Sequence, residues 1–164
     1  PAEALSPGGL GLGLGLVGTD WARNCRDRVW LGPRGLILDG PVNDGLNSVR
    51  LVRDLPLNTL SYGGKWRIAS QSATSAADGG RIDLHFNASR VYLVLGANGK
   101  NRRVKVYLDG RPINSRDAGR HVKAGSMTVR GQKLYSLVDL KKPGSHCLSL
   151  RFDAGISGIA FTFG

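Results

Sequence analysis

From about Leu55 to Gly164 no apolar run in this chain follows a helical period, and that restricts the fold more than any other feature. In the segment from Arg81 to Phe86 the apolar residues Ile82, Leu84 and Phe86 alternate with Arg81, Asp83 and His85. Such alternation sends one face into a core and the other into solvent. Val91 to Leu95 is apolar throughout and reads as a central strand buried on both faces. Val104, Val106 and Leu108 alternate with Lys105 and Tyr107 and run into Asp109-Gly110, a strong hairpin signal, so Arg111 to Asn114 should begin the return. Further strands are expected at Met127 to Val129, Leu134 to Val138, Cys147 to Phe152 and Ile159 to Phe163, separated by turns at Gly125, Gly131, Pro143-Gly144 and Gly155 to Gly158. Short strands at such regular intervals predict an all-β, antiparallel β-sandwich or jelly roll over residues 55–164. Trp66, Phe86, Phe161 and Phe163 are assigned to its core, and Tyr135 fits either core or surface.

Composition agrees with that reading. Glu3 is the only glutamate, whereas glycine occurs 24 times, so helix-favouring surface residues are scarce and turn residues abundant. Residues 1–54 lack this strand pattern and read as a glycine-rich, irregular N-terminal arm. Gly13, Gly15 and Gly18 have the spacing G-x-G-x-x-G, but Pro7-Gly8-Gly9 stands where a dinucleotide-binding strand would have to be, so an ordered glycine-rich arm is the better account. A short helix over residues 20–31, capped by Thr19, is expected within the arm. Trp21, Arg23, Arg28 and Trp30 either pack on the body or form a docking peptide for another protein.

A formal net charge of +11 implies attraction to polyanions or to an acidic partner surface. The basic residues are scattered, and the densest group, Lys100, Arg102, Arg103 and Lys105, straddles a turn, which is better explained as a solvated loop than as a nucleic-acid site. The apolar run from Leu10 to Val17 is far shorter than the roughly 20 residues of a membrane helix, so no transmembrane segment is expected. A chain starting at Pro1 is either a processed product or a piece beginning inside a longer protein; export to the periplasm or outside the cell, with the signal removed, would fit. Cys25 and Cys147 are too far apart for a C-x-x-C redox centre. They form either a disulfide joining the arm to a late strand or two free thiols.

Several strings carry a resemblance to a known family. They are Leu55-Pro56-Leu57-Asn58, Gly64-Lys65-Trp66, Gly79-Gly80-Arg81-Ile82, the run from Arg90 to Gly96, Leu108-Asp109-Gly110-Arg111, the run from Leu134 to Val138, and the closing Gly155 with Ala160 to Gly164. In this order they resemble the C-terminal module of DipZ-type thioredoxin-like cytochrome c biogenesis proteins. The resemblance implies a β-sandwich of the galactose-binding or carbohydrate-binding-module (CBM) type, acting outside the cytoplasm. The redox chemistry of that family belongs to a separate thioredoxin-like domain, and its C-x-x-C is absent from this chain, so thiol exchange does not carry over.

No catalytic constellation emerges from the residues themselves. Gly155-Ile156-Ser157-Gly158 lacks the spacing of a nucleophile elbow, and the three histidines, His85, His121 and His146, are isolated, so neither hydrolysis nor a metal or other cofactor is expected. The aspartates near strand ends fit ordinary turn chemistry, and Asn87-Ala88-Ser89 is explained by a turn as well as by glycosylation. Sugar recognition needs an exposed ring and a few orienting polar groups, for which Tyr62, Tyr107, Asp109 and Arg111 are the candidates. Two functions are compatible with these residues: a non-catalytic CBM-like binding module, or a structural subunit of a larger extracytoplasmic or membrane-associated complex docked through residues 1–54.

Overall fold

The computed structural model describes residues 14–16, 44–52 and 55–164. Among these residues ten strands form and no helix does: β1 (Leu14–Leu16), β2 (Gly45–Val49), β3 (Thr59–Ile68), β4 (Ala73–Ser75), β5 (Gly80–Gly96), β6 (Arg102–Leu108), β7 (Arg111–Pro112), β8 (Ser126–Val129), β9 (Lys133–Phe152) and β10 (Ser157–Phe163). Every pairing is antiparallel. The expected strands are therefore present, but the boundary placed at residue 55 is not. β2 pairs along β3, and the backbone of β1 pairs with β10. Two pieces of the arm thus belong to the sheet.

Two long strands, β5 and β9, organise the fold. The first half of β5 lies between β3 and the second half of β9, while its second half lies between β10 and the first half of β9. The change of neighbours occurs where Ala88 faces Gly144 but Arg90 already faces Asp139, so that residues 140–143 stand opposite Ser89 alone. An excess of residues on one strand bends the pair sharply. Pro143-Gly144, expected to separate two strands, is instead part of this bend within one continuous strand, where proline's missing donor is tolerated. The bend carries the sheet from one layer of the sandwich to the other.

Alternation holds along nearly all of β5. Ile82, Leu84, Phe86, Ala88, Val91, Leu93 and Leu95 are buried, and the residues between them are half-buried or exposed. Val91 to Leu95 is therefore covered fully on one face only, because Tyr92 and Val94 are half-buried. Trp66, Phe86, Phe161 and Phe163 lie in the core as expected. Tyr135 joins them, its hydroxyl donating to Gly131 O at 2.9 Å. The Trp66 indole is T-shaped against Phe152 at 5.3 Å and donates its ring N–H to Gly63 O at 2.8 Å, which satisfies the one polar atom of a large buried ring. The hairpin read from Asp109-Gly110 is present as well: both residues have positive φ, at 51° and 81°, the pattern of a type I′ turn, although the returning β7 is only two residues long.

Candidate functional site

The outer face of the β3–β5–β9–β6 layer carries a groove of about 830 Å³. Register builds its floor. Arg81, Asp83 and His85 of β5 stand opposite Arg151, Ser149 and Cys147 of β9, and Arg151 and Ser149 in turn stand opposite Lys105 and Tyr107 of β6. These are the outward positions of strands whose alternate residues fill the core. On β3 the same face holds Thr59, Ser61 and Gly63, all small. Their size admits Leu51, Val52 and Leu55 as one wall of the groove: Val52 donates its N–H to Ser61 Oγ at 3.0 Å, and a Cβ on Gly63 would fall 2.7 Å from Leu51 Cγ.

The polar groups of the floor are held in place before any ligand arrives. Asp83 accepts from Arg81 Nε at 2.8 Å, from Arg81 Nη2 at 3.1 Å and from the Ser149 hydroxyl at 2.6 Å. His85 bonds Leu55 O through Nδ1 at 2.7 Å. A carbonyl oxygen can only accept, so Nδ1 carries a proton, and in the neutral ring Nε2, 2.8 Å from Ser145 Oγ, accepts. The Arg151 guanidinium lies 4.6 Å from the centroid of the Tyr107 ring, a cation–π arrangement that fixes both side chains at the β6 side.

Asp109 ties the hairpin turn to β9, its two carboxylate oxygens accepting from His146 Nδ1 at 2.6 Å and from the Cys147 backbone N–H at 2.9 Å. Burial, and then the Asp109 and Asp83 carboxylates, push the Cys147 thiol pKa up. Its residue is nonetheless exposed and, among the described residues, has no disulfide partner. Cys25, the partner considered for it, lies outside the described residues, as do Trp21, Arg23, Arg28, Trp30 and the helix expected over residues 20–31.

Of the four residues expected to contact a ligand, three are gathered at one end of this face. Tyr107 is half-buried beside the floor, and Asp109 and Arg111 are exposed in the turn whose Gly110 lines the groove. Tyr62 is not there. It is 0% exposed, stacked on Trp66 with ring centroids 5.1 Å apart, and its register partner Ile82 is a core residue. No face of its ring is available to a ligand, and burial raises its hydroxyl pKa well above the ordinary value. Arg81, Asp83, His85, Ser149 and Arg151 were legible as outward-facing residues from alternation. Their meeting depends on strand order, which alternation does not reveal.

Among the described residues no three histidine, cysteine or acidic side chains are grouped to hold a metal ion, and no helix is long and apolar enough to cross a membrane. No curated protein matches the chain. Among solved structures, an active site mutant of a family two carbohydrate esterase from Clostridium thermocellum is similar at 20% identity and a TM-score of 0.52, over 64% of this chain and 31% of the esterase. A family two carbohydrate esterase from Cellvibrio japonicus gives 16% identity and a TM-score of 0.48, over 64% of this chain and 31% of that one. CsCBM6-3 from Clostridium stercorarium, solved in complex with cellobiose, gives 14% identity and 0.40, over 62% and 75% respectively. The match thus spans about a third of the esterases' length, and the first likeness supports the sandwich fold alone. Residues 40–164 match the family model described as the thioredoxin like C-terminal domain, and with most of its length inside that match the chain belongs to this family.

Proposed function

We propose that the protein is a non-catalytic, extracytoplasmic binding module that takes a carbohydrate into the groove above Arg81, Asp83, Ser149 and Tyr107. The observation that carries this reading is the groove itself: a concave site of about 830 Å³ whose floor is a sheet, with hydrogen-bonding groups held by their neighbours, and with the half-buried Tyr107 next to Ser149's register position outside the lining. Sugars are recognised by this combination, hydroxyls by fixed polar groups and C–H faces by a ring. Asp83 is engaged by three donors and Asp109 by two, an arrangement suited to orienting a ligand rather than to accepting a proton from one. The finer assignment, to the DipZ-type C-terminal module, rests on the strings from Leu55-Pro56 to the closing Phe163-Gly164.

A glycan array probed with the intact chain, followed by calorimetric titration of the best hit, tests the reading. Binding is expected, and Tyr107→Ala should weaken it about fivefold, the order of one aromatic contact. An array that stays blank at high protein concentration, or a hit indifferent to Tyr107→Ala, would sink it.

A further inference from the structure

A second cleft, of about 350 Å³, opens on the other half of the β5–β9 pair and shares no residue with the groove. Arg90 and Tyr92 of β5 and Leu134, Ser136 and Asp139 of β9 line it, and the segment carrying Arg120 and His121 closes it. That segment is held close by Gly119, where a Cβ would fall under 3.0 Å from Ser136 O, C and Oγ, and by the Gly119 N–H donating to Leu137 O at 3.0 Å.

The approach sets the chemistry of His121. The Ser136 backbone N–H donates to His121 Nδ1 at 2.8 Å, so in the neutral ring the proton is on Nε2, which is left as a donor. Burial lowers the His121 pKa, and Lys133 and Arg120 lower it further, which keeps the ring in that neutral form at neutral pH. The His121 ring also packs edge-on against Tyr135 at 5.3 Å. Its orientation is therefore determined on two sides.

The lining carries two guanidiniums, Arg90 and Arg120, against the single carboxylate of Asp139. Arg90 Nε lies 3.3 Å from Asp139 Oδ1, so these two largely offset each other and Arg120 remains as the uncompensated cation of the lining. A positive charge in the lining beside an oriented N–H donor, with Lys133 acting on His121 as well, suits an anionic group such as a carboxylate. Beside them lie the half-buried Tyr92 and the exposed Leu134, which offer an apolar surface for the body of a small ligand.

We propose that this cleft is a binding site for a small ligand bearing one carboxylate, a sugar acid such as D-glucuronate, with Arg120 and His121 Nε2–H meeting the carboxylate and Tyr92 and Leu134 the ring. The site goes beyond the groove reading and does not depend on it.

The test is an NMR titration of the full chain with D-glucuronate at pH 7.4 and physiological salt, following the His121 ring resonances, with D-glucose and inorganic phosphate titrated in parallel. A cleft of this size holding so small a ligand should give a Kd on the order of 1 mM. Glucuronate is expected to shift His121 saturably, glucose to leave it unmoved, and phosphate to bind more weakly than glucuronate. Arg120→Ser, at an exposed position, should weaken glucuronate about tenfold. Lys100→Ser removes the same charge from an exposed turn elsewhere and should change nothing. The proposal is overturned if glucuronate fails to saturate, if glucose shifts His121 equally, if phosphate binds more tightly, or if Lys100→Ser weakens glucuronate as much as Arg120→Ser does. None of these outcomes depends on whether the groove binds a neutral glycan.

Discussion

Gly119→Ala is the sharpest perturbation of the second cleft, because its effect is steric alone. Gly119 does not occupy the positive-φ region, so alanine suits its backbone. The added methyl would nevertheless lie under 3.0 Å from Ser136 O, C and Oγ, and two of these atoms are backbone that cannot rotate away. The segment would have to lift by roughly 1 Å to restore ordinary contact. That movement acts on three hydrogen bonds: Gly119 N to Leu137 O at 3.0 Å, Asp139 N to Asp117 O at 2.9 Å, and Ser136 N to His121 Nδ1 at 2.8 Å. Losing two of them costs about 2 kcal/mol in all. Residual overpacking adds about 1–2 kcal/mol, for a total destabilisation of about 3–4 kcal/mol. For a chain of this size the melting temperature should fall by about 6–16 °C in thermal unfolding followed by circular dichroism. Gly131→Ala is the control, since nothing lies within 4 Å of a Cβ there, and it should stay within about 0.5 kcal/mol of the parent. A Gly119→Ala protein within 1 kcal/mol of the parent, or a Gly131→Ala protein equally damaged, would refute the close-approach argument.

Two further outcomes concern buried or shielded groups. Tyr62→Phe removes a buried hydroxyl that has no hydrogen-bond partner among the described residues, so chemical denaturation should show stability unchanged or raised by about 1–2 kcal/mol. A loss above 1 kcal/mol would show that the hydroxyl is satisfied after all. Cys147, although exposed, has its thiol pKa raised by burial and by Asp109 and Asp83, so alkylation by iodoacetamide at pH 7 should be slower than that of a free cysteine peptide. Asp109→Asn keeps the shape of the side chain and removes one of those charges, so the reaction should accelerate; an unchanged rate would contradict the electrostatic account.

Alternation gave a correct account of which way most strand residues point. Ile82, Leu84 and Phe86 are buried, and Arg81, Asp83 and His85 face outward. Asp109-Gly110 was equally legible, since the residues that tolerate positive φ define the turn locally. Tyr62 was misplaced although it shares alternation with Leu60; its burial follows from pairing with Ile82 and stacking on Trp66, contacts made across the sheet. The uniformly apolar Val91 to Leu95 had no polar residue to mark an outer face. Its half-covered side became evident only once Ser136 of β9 and Thr162 of β10 were seen to flank Tyr92.

The sequence by itself determined the class of fold and the hairpin turn, because period-two patterning and turn chemistry act between residues a few positions apart. The remainder was decided by tertiary structure. Pro143-Gly144 became a bend because β5 supplies a partner on both sides of it, and the small Thr59, Ser61 and Gly63 became a seat for Leu51 because that segment returns over them. Both clefts unite residues that are far apart in the chain: Asp83 with Ser149 in one, Arg90 with His121 in the other. Side-chain chemistry at each position could be read directly, but its convergence depends on strand order and register, which arise from packing the whole core at once.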